Sequence, residues 1–156
     1  HHRSSAASDV YKRQIYRSKN MYEYVEGEAM YPHITTPNTR FQPHKYVITV
    51  LTDDSTASDL EAKGISQVRD RSGQPKFDKP AFSFSRKVEV AGRINEAPKL
   101  IDNDGNPMDV AVGNGSKVKV KIKPYKNDYG TFAELIAVKV VELVEYAEQS
   151  ADNEEF

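Results

Sequence analysis

The sequence predicts a mainly β fold, a small five-stranded antiparallel barrel that carries one short helix. Three observations lead to this fold class. Segments in which apolar and polar residues alternate recur along the chain, turn residues separate them, and a single stretch has helical spacing. The length of 156 residues fits one domain, since chains of roughly 100 to 200 residues usually form a single core.

The first two strands are predicted on either side of a proline-rich loop. We expect a strand between Tyr22 and Ile34 that ends at Pro32, because aromatic and β-branched residues cluster there and proline cannot donate to a ladder. A polar loop over 36–44 follows, since its two prolines forbid a helix. The second strand is expected over 45–52.

One segment then changes to helical spacing. We predict a helix over 58–69, because Leu60, Ile65 and Val68 fall on one helical face and the polar residues before it can cap it. The next segment, 70–80, is charged, contains glycine and prolines and has almost no apolar residue, which predicts an exposed, mobile loop.

The second half of the chain is predicted to alternate between strands and tight turns. Of the three phenylalanines at 82, 84 and 132, we expect at least two to lie in the core. Strands are expected at 81–91, ending at Gly92, and at 100–101, 116–125 and 132–146. Turns are expected at 102–107, 113–115 and 126–131, and a hairpin is expected to follow from the first of them.

The two ends of the chain differ in composition from its middle. The stretch 9–14 looks like an in-frame translation of a sequencing adaptor, so residues 1–20 are set aside as an adaptor-derived leader; the alternative is a natural disordered arm. Residues 21–146 form the predicted folded domain. Residues 147–156 are polar and acidic and cannot bury enough apolar surface to fold, so we expect a disordered tail.

Composition argues against several kinds of site. Without cysteine, the chain can form no disulfide, thiolate zinc site or cysteine nucleophile. No apolar run approaches the roughly 20 residues that cross a bilayer, so no membrane partner is predicted. Histidines and paired carboxylates lack the spacing of catalytic or metal sites. We therefore predict a protein that is not an enzyme, with no catalytic residue, metal or cofactor.

A strictly alternating segment gives the strongest indication of function. In a strand, Lys117, Lys119, Lys121 and Lys123 would lie on one face, with valine and isoleucine on the other. Side chains on one face are ~6.6 to 6.8 Å apart, close to the spacing of phosphates along an extended single strand. The alternative is that these lysines only solvate an edge strand and prevent aggregation.

Aromatic residues beside basic residues strengthen the nucleic-acid interpretation. Rings in turns and at strand ends can stack on unpaired bases of any sequence, with about 1 to 3 kcal/mol per base. The rings in such positions are Tyr31, Phe41, Phe77, Tyr125 and Tyr129.

Several segments together resemble a known family. The stretches GEAMYPHI at 27–34, TPNTRF at 36–41 and GNGSKVKV at 113–120, with an acidic tail that ends on Phe156, are similar to the single-stranded DNA-binding proteins of T-seven-type short-tailed bacteriophages and their marine cyanophage relatives. The resemblance implies an oligonucleotide/oligosaccharide-binding barrel, or OB fold. It also implies sequence-independent coating of single-stranded DNA during phage DNA replication, recombination and repair, in the cytoplasm of the infected bacterial host.

The resemblance also implies partners and site residues. The tail residues Asp152, Glu154, Glu155 and Phe156 would bind the phage DNA polymerase and helicase–primase, and homodimers are implied. With the residues above, the predicted nucleic-acid-binding site comprises Tyr31, Arg40, Phe41, Arg86, Lys117, Lys119, Lys121, Lys123, Tyr125 and Tyr129.

Two other functions remain open on the sequence. One is a β-rich protein-interaction or virion structural domain that binds no nucleic acid, in which the lysines are a solvated edge. The other is a metal-dependent nuclease, which the absence of a suitably spaced carboxylate cluster disfavours. Binding to labelled oligo-dT separates the first from DNA binding, and magnesium-dependent cleavage identifies the second.

Overall fold

The computed structural model describes residues 21–145, so the predicted leader and acidic tail lie outside the described residues. No helix in this range is long and apolar enough to cross a membrane. The elements in the range are β1 (Glu23–Asn38), β2 (Lys45–Leu51), α1 (Asp54–Ala62), β3 (Ala81–Lys87), β4 (Glu89–Val90), β5 (Arg93–Ile94), β6 (Lys99–Ile101), β7 (Lys117–Asn127) and β8 (Gly130–Glu142).

Five strands close into a barrel in the order β3-β2-β1-β7-β8, and a pair between Ser85 and Glu134 joins β3 to β8. The closing pair is parallel, whereas the other neighbours run antiparallel. Because the number of strands is odd, directions cannot alternate at every step around a closed ring. The predicted mainly β barrel with one short helix is confirmed, and its antiparallel pattern is interrupted at the closing pair.

The barrel interior is filled by the alternate side chains of the strands. Phe82 and Phe84 are fully buried, whereas Phe132 lies on the outside, so two of the three phenylalanines belong to the core as expected. Along β7, valine and isoleucine point inward and the lysines point outward. The predicted alternation is therefore confirmed, and it places four ammonium groups on the outer surface.

β1 is longer than predicted. It does not end at Pro32 but continues to Asn38. The pairing of β1 with β2 is irregular between Met30 and His33, so the missing proline N–H interrupts no regular ladder. The loop between β1 and β2 therefore spans 39–44 rather than starting at residue 36.

α1 begins and ends earlier than the predicted range of 58–69. Asp53 caps it by accepting a 2.7 Å hydrogen bond from a backbone N–H of the first turn, and this bond lowers the pKa of Asp53. At the other end, Gly64 adopts a φ of 93° and the Ile65 N–H donates to the Leu60 carbonyl. This glycine-ended Schellman motif stops the helix although the apolar spacing continues.

The strand predicted over 81–91 consists of two elements. β3 ends at Lys87, and β4 pairs with β5 in a separate two-stranded hairpin. Between them, Ala91 and Gly92 have φ values of 51° and 78°, as two-residue hairpin turns require. Gly92 thus reverses the chain instead of only ending a strand.

The last hairpin is longer than predicted and the final strand is shorter. The turn expected over 126–131 consists of Asp128 and Tyr129 alone, between β7 and β8. β8 ends at Glu142, not at residue 146. The predicted turn over 102–107 is present and its antiparallel return is short. Pro107 pairs with Ile101 in one isolated bridge, and the Met108 N–H donates to the Leu100 carbonyl, while β6 itself pairs in parallel with β8.

Candidate nucleic-acid interface

The outer face of β2 and β3 carries two lysines that have no acidic partner within 4 Å among residues 21–145. Lys45 lies directly opposite Lys87, and the next pairs on the same face of the ladder join Val47 to Ser85 and Thr49 to Ser83. Neither strand contains an aspartate or glutamate. Like charges directly opposite each other are unfavourable in a sheet, and a bound anion would relieve the repulsion between these two ammonium groups.

The β7–β8 hairpin supplies three exposed rings. Tyr125 lies opposite Phe132 in the ladder, with ring centroids 5.9 Å apart and an interplanar angle of 34°. Tyr125 is 48% exposed, Phe132 41% and Tyr129, in the turn, 91%. Such exposure of large rings on one element is typical of a surface that binds a partner.

These two features line one groove, which we call the hairpin groove. It has a volume of about 440 Å³. None of its lining residues is acidic, and they come from the β2–β3 face, the end of α1 and the hairpin: Lys45, Gly64, Ile65, Ser66, Ser83, Ser85, Lys87, Tyr125, Asn127, Tyr129, Gly130, Thr131, Phe132 and Ala133.

The four alternating lysines of β7, Lys117, Lys119, Lys121 and Lys123, which we call the lysine ladder, have a different environment. Acidic residues of β1 and β8 lie on either side of them. Lys117 pairs with Glu142 at 3.3 Å, and Lys119 lies 3.8 Å from Glu26. This end of the lysine ladder is partly neutralised by carboxylates, so its attraction for phosphate is weaker than the number of lysines indicates.

Aromatic rings also cover part of the lysine ladder. The ammonium group of Lys121 lies 4.2 Å from the ring centroid of Tyr22, and that of Lys119 lies 5.4 Å from that of Tyr24. Cations and rings at these distances attract each other. Lys121 and Lys123 have no carboxylate within 4 Å among residues 21–145.

The β1–β2 loop carries Arg40 and Phe41, which shortly precede β2 in the sequence. The Arg40 guanidinium lies 5.5 Å from the ring centroid of Phe41, which is 70% exposed. The loop then runs into β2 through His44, whose carbonyl accepts a hydrogen bond from the Val88 N–H just after Lys87. These contacts tie the loop to the end of the β2–β3 face that carries Lys45.

Arg86 and Tyr31 lie outside the hairpin groove. The Arg86 guanidinium forms a 3.1 Å ion pair with Glu134 and donates to the Glu96 carbonyl at 2.9 Å, so it holds β3 against β8. Tyr31 lies at the irregular point of β1, beside Phe77. The structure therefore separates the predicted site residues into five places: the hairpin groove, the lysine ladder, the β1–β2 loop, the Tyr31 region and the contact of Arg86 between β3 and β8.

Sequence reasoning missed Lys45, Lys87 and Phe132. The absence of acids from the stretches 45–51 and 81–87 could have indicated the two lysines, because no carboxylate on either strand can pair with them. Phe132 gave no such signal, since only the register of β7 and β8 places it beside Tyr125.

A larger cavity elsewhere is a poor candidate for DNA. It has a volume of about 560 Å³, and Glu26, Glu28 and Asp53 lie on its wall together with two lysines. Three carboxylates would repel a phosphate backbone. Within residues 21–145, no group of three or more acidic or histidine side chains is arranged to hold a metal ion.

The strand order and the groove together define the chain as an OB-fold barrel. In this class, ligands bind on the face of the second and third strands and at the loops that join strands 1 to 2 and 4 to 5. Here those parts are β2, β3, the 39–44 loop and the β7–β8 turn. The hairpin groove lies at the position that this class uses.

Comparison with solved structures finds the same fold in bacteriophage proteins. The single-stranded DNA-binding protein from bacteriophage Enc34 in complex with single-stranded DNA has a TM-score of 0.54 at 16% identity, over 83% of this chain and 90% of that chain. The single-stranded DNA binding protein gp2.5 of bacteriophage T7 has a TM-score of 0.53 at 20% identity, over 85% and 93%. No protein-family model and no curated protein matches the sequence. These likenesses show a shared fold.

Proposed function

We propose that the protein binds single-stranded DNA without sequence preference, with the hairpin groove as its main contact. The observation that carries the proposal is the composition of the groove: two lysines without acidic partners and three exposed rings, with no carboxylate among the lining residues. Single-strand binders combine these two elements, a positive groove for the backbone and rings for the bases.

The roles of the groove residues follow from their chemistry. Lys45 and Lys87 neutralise phosphates, and Tyr125, Tyr129 and Phe132 stack on bases. Every base presents a π-face to a ring, whereas reading a base requires fixed hydrogen-bonding groups at its edge. The β3 side chains that line the groove, Ser83 and Ser85, are small, so the groove accepts a base of any kind.

The other predicted site residues contribute at the margins of the groove. Arg40 and Phe41 extend the contact from the loop that precedes Lys45. In the lysine ladder, Lys121 and Lys123 attract the strand most, because Lys117 and Lys119 have carboxylate partners. Arg86 acts by holding the barrel closed.

The similar structures support this function and its biological setting. Two of them are named single-stranded DNA-binding proteins of bacteriophages, and one is a complex with single-stranded DNA. We propose that this protein serves phage DNA replication, recombination and repair in the infected cell as a non-catalytic binding protein. The acidic residues and Phe156 of the tail, which lie outside the described residues, are proposed to recruit the polymerase and helicase–primase, and homodimers are a further part of the proposal.

Fluorescence anisotropy with labelled oligo-dT tests the proposal directly. We expect tight binding to oligo-dT, weak binding to duplex, and a logarithmic affinity that falls with the logarithm of salt by about 0.7 per neutralised phosphate. Mixed-sequence oligonucleotides of equal length serve as the control for sequence preference. If no single strand binds at low salt, the proposal is wrong, and a domain that interacts only with proteins becomes the better account.

A further inference from the structure

A second aromatic cluster lies apart from the hairpin groove. The rings of Tyr31 and Phe77 are 6.3 Å apart at an angle of 44°. Tyr31 is 58% exposed, and Phe77 is half-buried in the loop before β3. Neither residue lines the hairpin groove. We call these two rings the second platform.

The backbone holds Tyr31 outward in a conformation that its side chain disfavours. Its φ is 51°, in the left-handed region where a bulky residue is a genuine outlier. It lies where the register between β1 and β2 is broken. Irregularities of this kind often re-aim a side chain next to a functional site, and the strain they contain is often part of that function.

A separate turn supports this conformation of Tyr31. The side-chain oxygen of Asn114 accepts a hydrogen bond from the Tyr31 N–H at 2.6 Å. The turn that carries Asn114 is itself held by the buried hydroxyl of Ser116, which donates to the Gly113 carbonyl at 2.9 Å and accepts from the Val144 N–H at 2.8 Å. The Tyr31 backbone is therefore held by a turn that is itself tied to the segment after β8.

The loop that carries Phe77 has hydrogen bonds on both sides of that residue. Asp70 accepts bonds from the Ser72 hydroxyl at 2.7 Å and from the Gln74 N–H at 3.0 Å, which lower the pKa of its carboxyl group. The end of the loop is tied to the residue after β2, because the Thr52 N–H donates to the Pro80 carbonyl. These bonds hold the two ends of the loop.

One exposed lysine of this loop adds positive charge beside the rings. Lys76 precedes Phe77 in the chain, whereas Asp78 and Lys79 follow it, and Lys79 lies on the wall of the acidic cavity described above. Two rings beside one ammonium group match what a nucleotide offers, a base and a phosphate.

The second platform and the hairpin groove lie on opposite sides of β2. The groove is lined from the β3 side, at Ser83, Ser85 and Lys87, whereas Tyr31 lies on β1 between the residues that pair with Thr49 and Val47 of β2. β1 and β3 flank β2, so these two strands are about 10 Å apart. A DNA strand that occupies the groove must therefore cross β2 to reach the second platform, so it must be longer than one that fills the groove alone.

We propose that Tyr31 and Phe77 form a second base-stacking platform, reached by single-stranded DNA that extends beyond the hairpin groove, with Asn114 as the residue that positions Tyr31. This inference rests on the proposed function. It goes further by assigning a length-dependent contact, in which short strands use the groove alone and longer strands also use the second platform.

The test compares a short and a long oligo-dT, of roughly 5 and 16 nucleotides, within the range that single barrels bind. Two variants remove one ring each, Tyr31→Asn, whose side chain tolerates the left-handed backbone, and Phe77→Ala in the exposed loop. Tyr31→Phe is the matched control, because it keeps the ring. Thermal denaturation of every variant monitors the fold.

We expect both ring-removing variants to bind the long oligonucleotide about five-fold more weakly or worse, with less than a two-fold change for the short one. Tyr31→Phe should bind both like the unaltered chain. Equal losses for both lengths, or no loss for either, would overturn the second platform while leaving the groove proposal intact. If the unaltered chain binds neither oligonucleotide, the proposed function itself fails and the second platform with it.

Discussion

The hairpin groove and the lysine ladder contain similar residue types and have opposite electrostatic surroundings. The lysine ladder has more lysines, but carboxylates from β1 and β8 lie beside it and pair with Lys117 and Lys119. The hairpin groove has two lysines, and no acid lines it. Attraction for a polyanion depends on unpaired charge, so the groove with fewer lysines is the stronger candidate for DNA.

The comparison also separates two uses of aromatic rings. Around the lysine ladder, Tyr22 and Tyr24 lie against ammonium groups, so each ring already has a cationic partner. In the hairpin groove, Tyr129 projects into solvent and Tyr125 and Phe132 present their free faces. A ring with a free face can stack on a base without giving up an existing contact.

The largest effect is expected from reversing both groove charges. The double variant Lys45→Glu with Lys87→Glu should weaken oligo-dT binding by about a hundred-fold or more, since each lost charge-assisted contact costs about 1.5 to 3 kcal/mol. The slope of affinity against salt should also fall by about 1.4. Anisotropy titrations at several salt concentrations measure both quantities. A loss of less than about five-fold would show that the groove is not the main contact.

A smaller effect is expected from removing the most exposed groove ring. Tyr129→Ala should weaken binding about five-fold or more through lost stacking, while Tyr129→Phe should bind normally. The salt slope should stay unchanged, because no phosphate contact is lost. Since Tyr129 lies in an exposed turn, the melting temperature is expected to change little. If Tyr129→Ala and the unaltered chain bind equally well, Tyr129 does not contact DNA.

The lysine ladder provides the matched control for the groove charges. The double variant Lys117→Glu with Lys119→Glu should weaken binding by less than about five-fold at ~0.15 M salt, because both lysines already have carboxylate partners and exposed charges away from the strand are screened. The same titration measures this variant. If it loses as much affinity as the groove double variant, the ladder is a main contact and the comparison between the two surfaces is wrong.

The smallest effect on binding is expected at Arg86. Arg86→Ala should lower the free energy of unfolding by about 1 to 2 kcal/mol, because it removes the half-buried pair with Glu134 and the bond to the Glu96 carbonyl. Oligo-dT affinity of the folded variant should remain within two-fold. Chemical denaturation and anisotropy together measure this. A large loss of affinity without loss of stability would show that Arg86 contacts DNA.

Much of the fold could be predicted from local patterns. The alternation along 117–123 correctly predicted which side chains of β7 are buried, and at least two of the phenylalanines at 82, 84 and 132 were expected in the core, as Phe82 and Phe84 are. Bounds were less predictable where glycine decides them. Gly64 ends α1 although the apolar spacing continues past it, and Gly92 forms a hairpin turn instead of only ending a strand.

The site was less predictable because it depends on strand register. The carboxylate beside Lys117 comes from β8, which is separated from β7 by a turn. The carboxylate beside Lys119 comes from β1, which is distant from β7 in the sequence. Only the pairing of strands brings Lys45 opposite Lys87 and Tyr125 opposite Phe132. Residue types therefore indicated a single-strand binder, while the location of its groove required the structure.

Photochemical crosslinking tests the central claim most directly. Oligo-dT that carries 5-iodo-deoxyuridine would be irradiated with the full chain, and the crosslinked peptides would be identified by mass spectrometry. We expect crosslinks on the β7–β8 hairpin, at Tyr125, Tyr129 or Phe132, which line the hairpin groove. Crosslinks confined to Tyr22 and Tyr24, beside the lysine ladder, with none on the hairpin, would contradict the account.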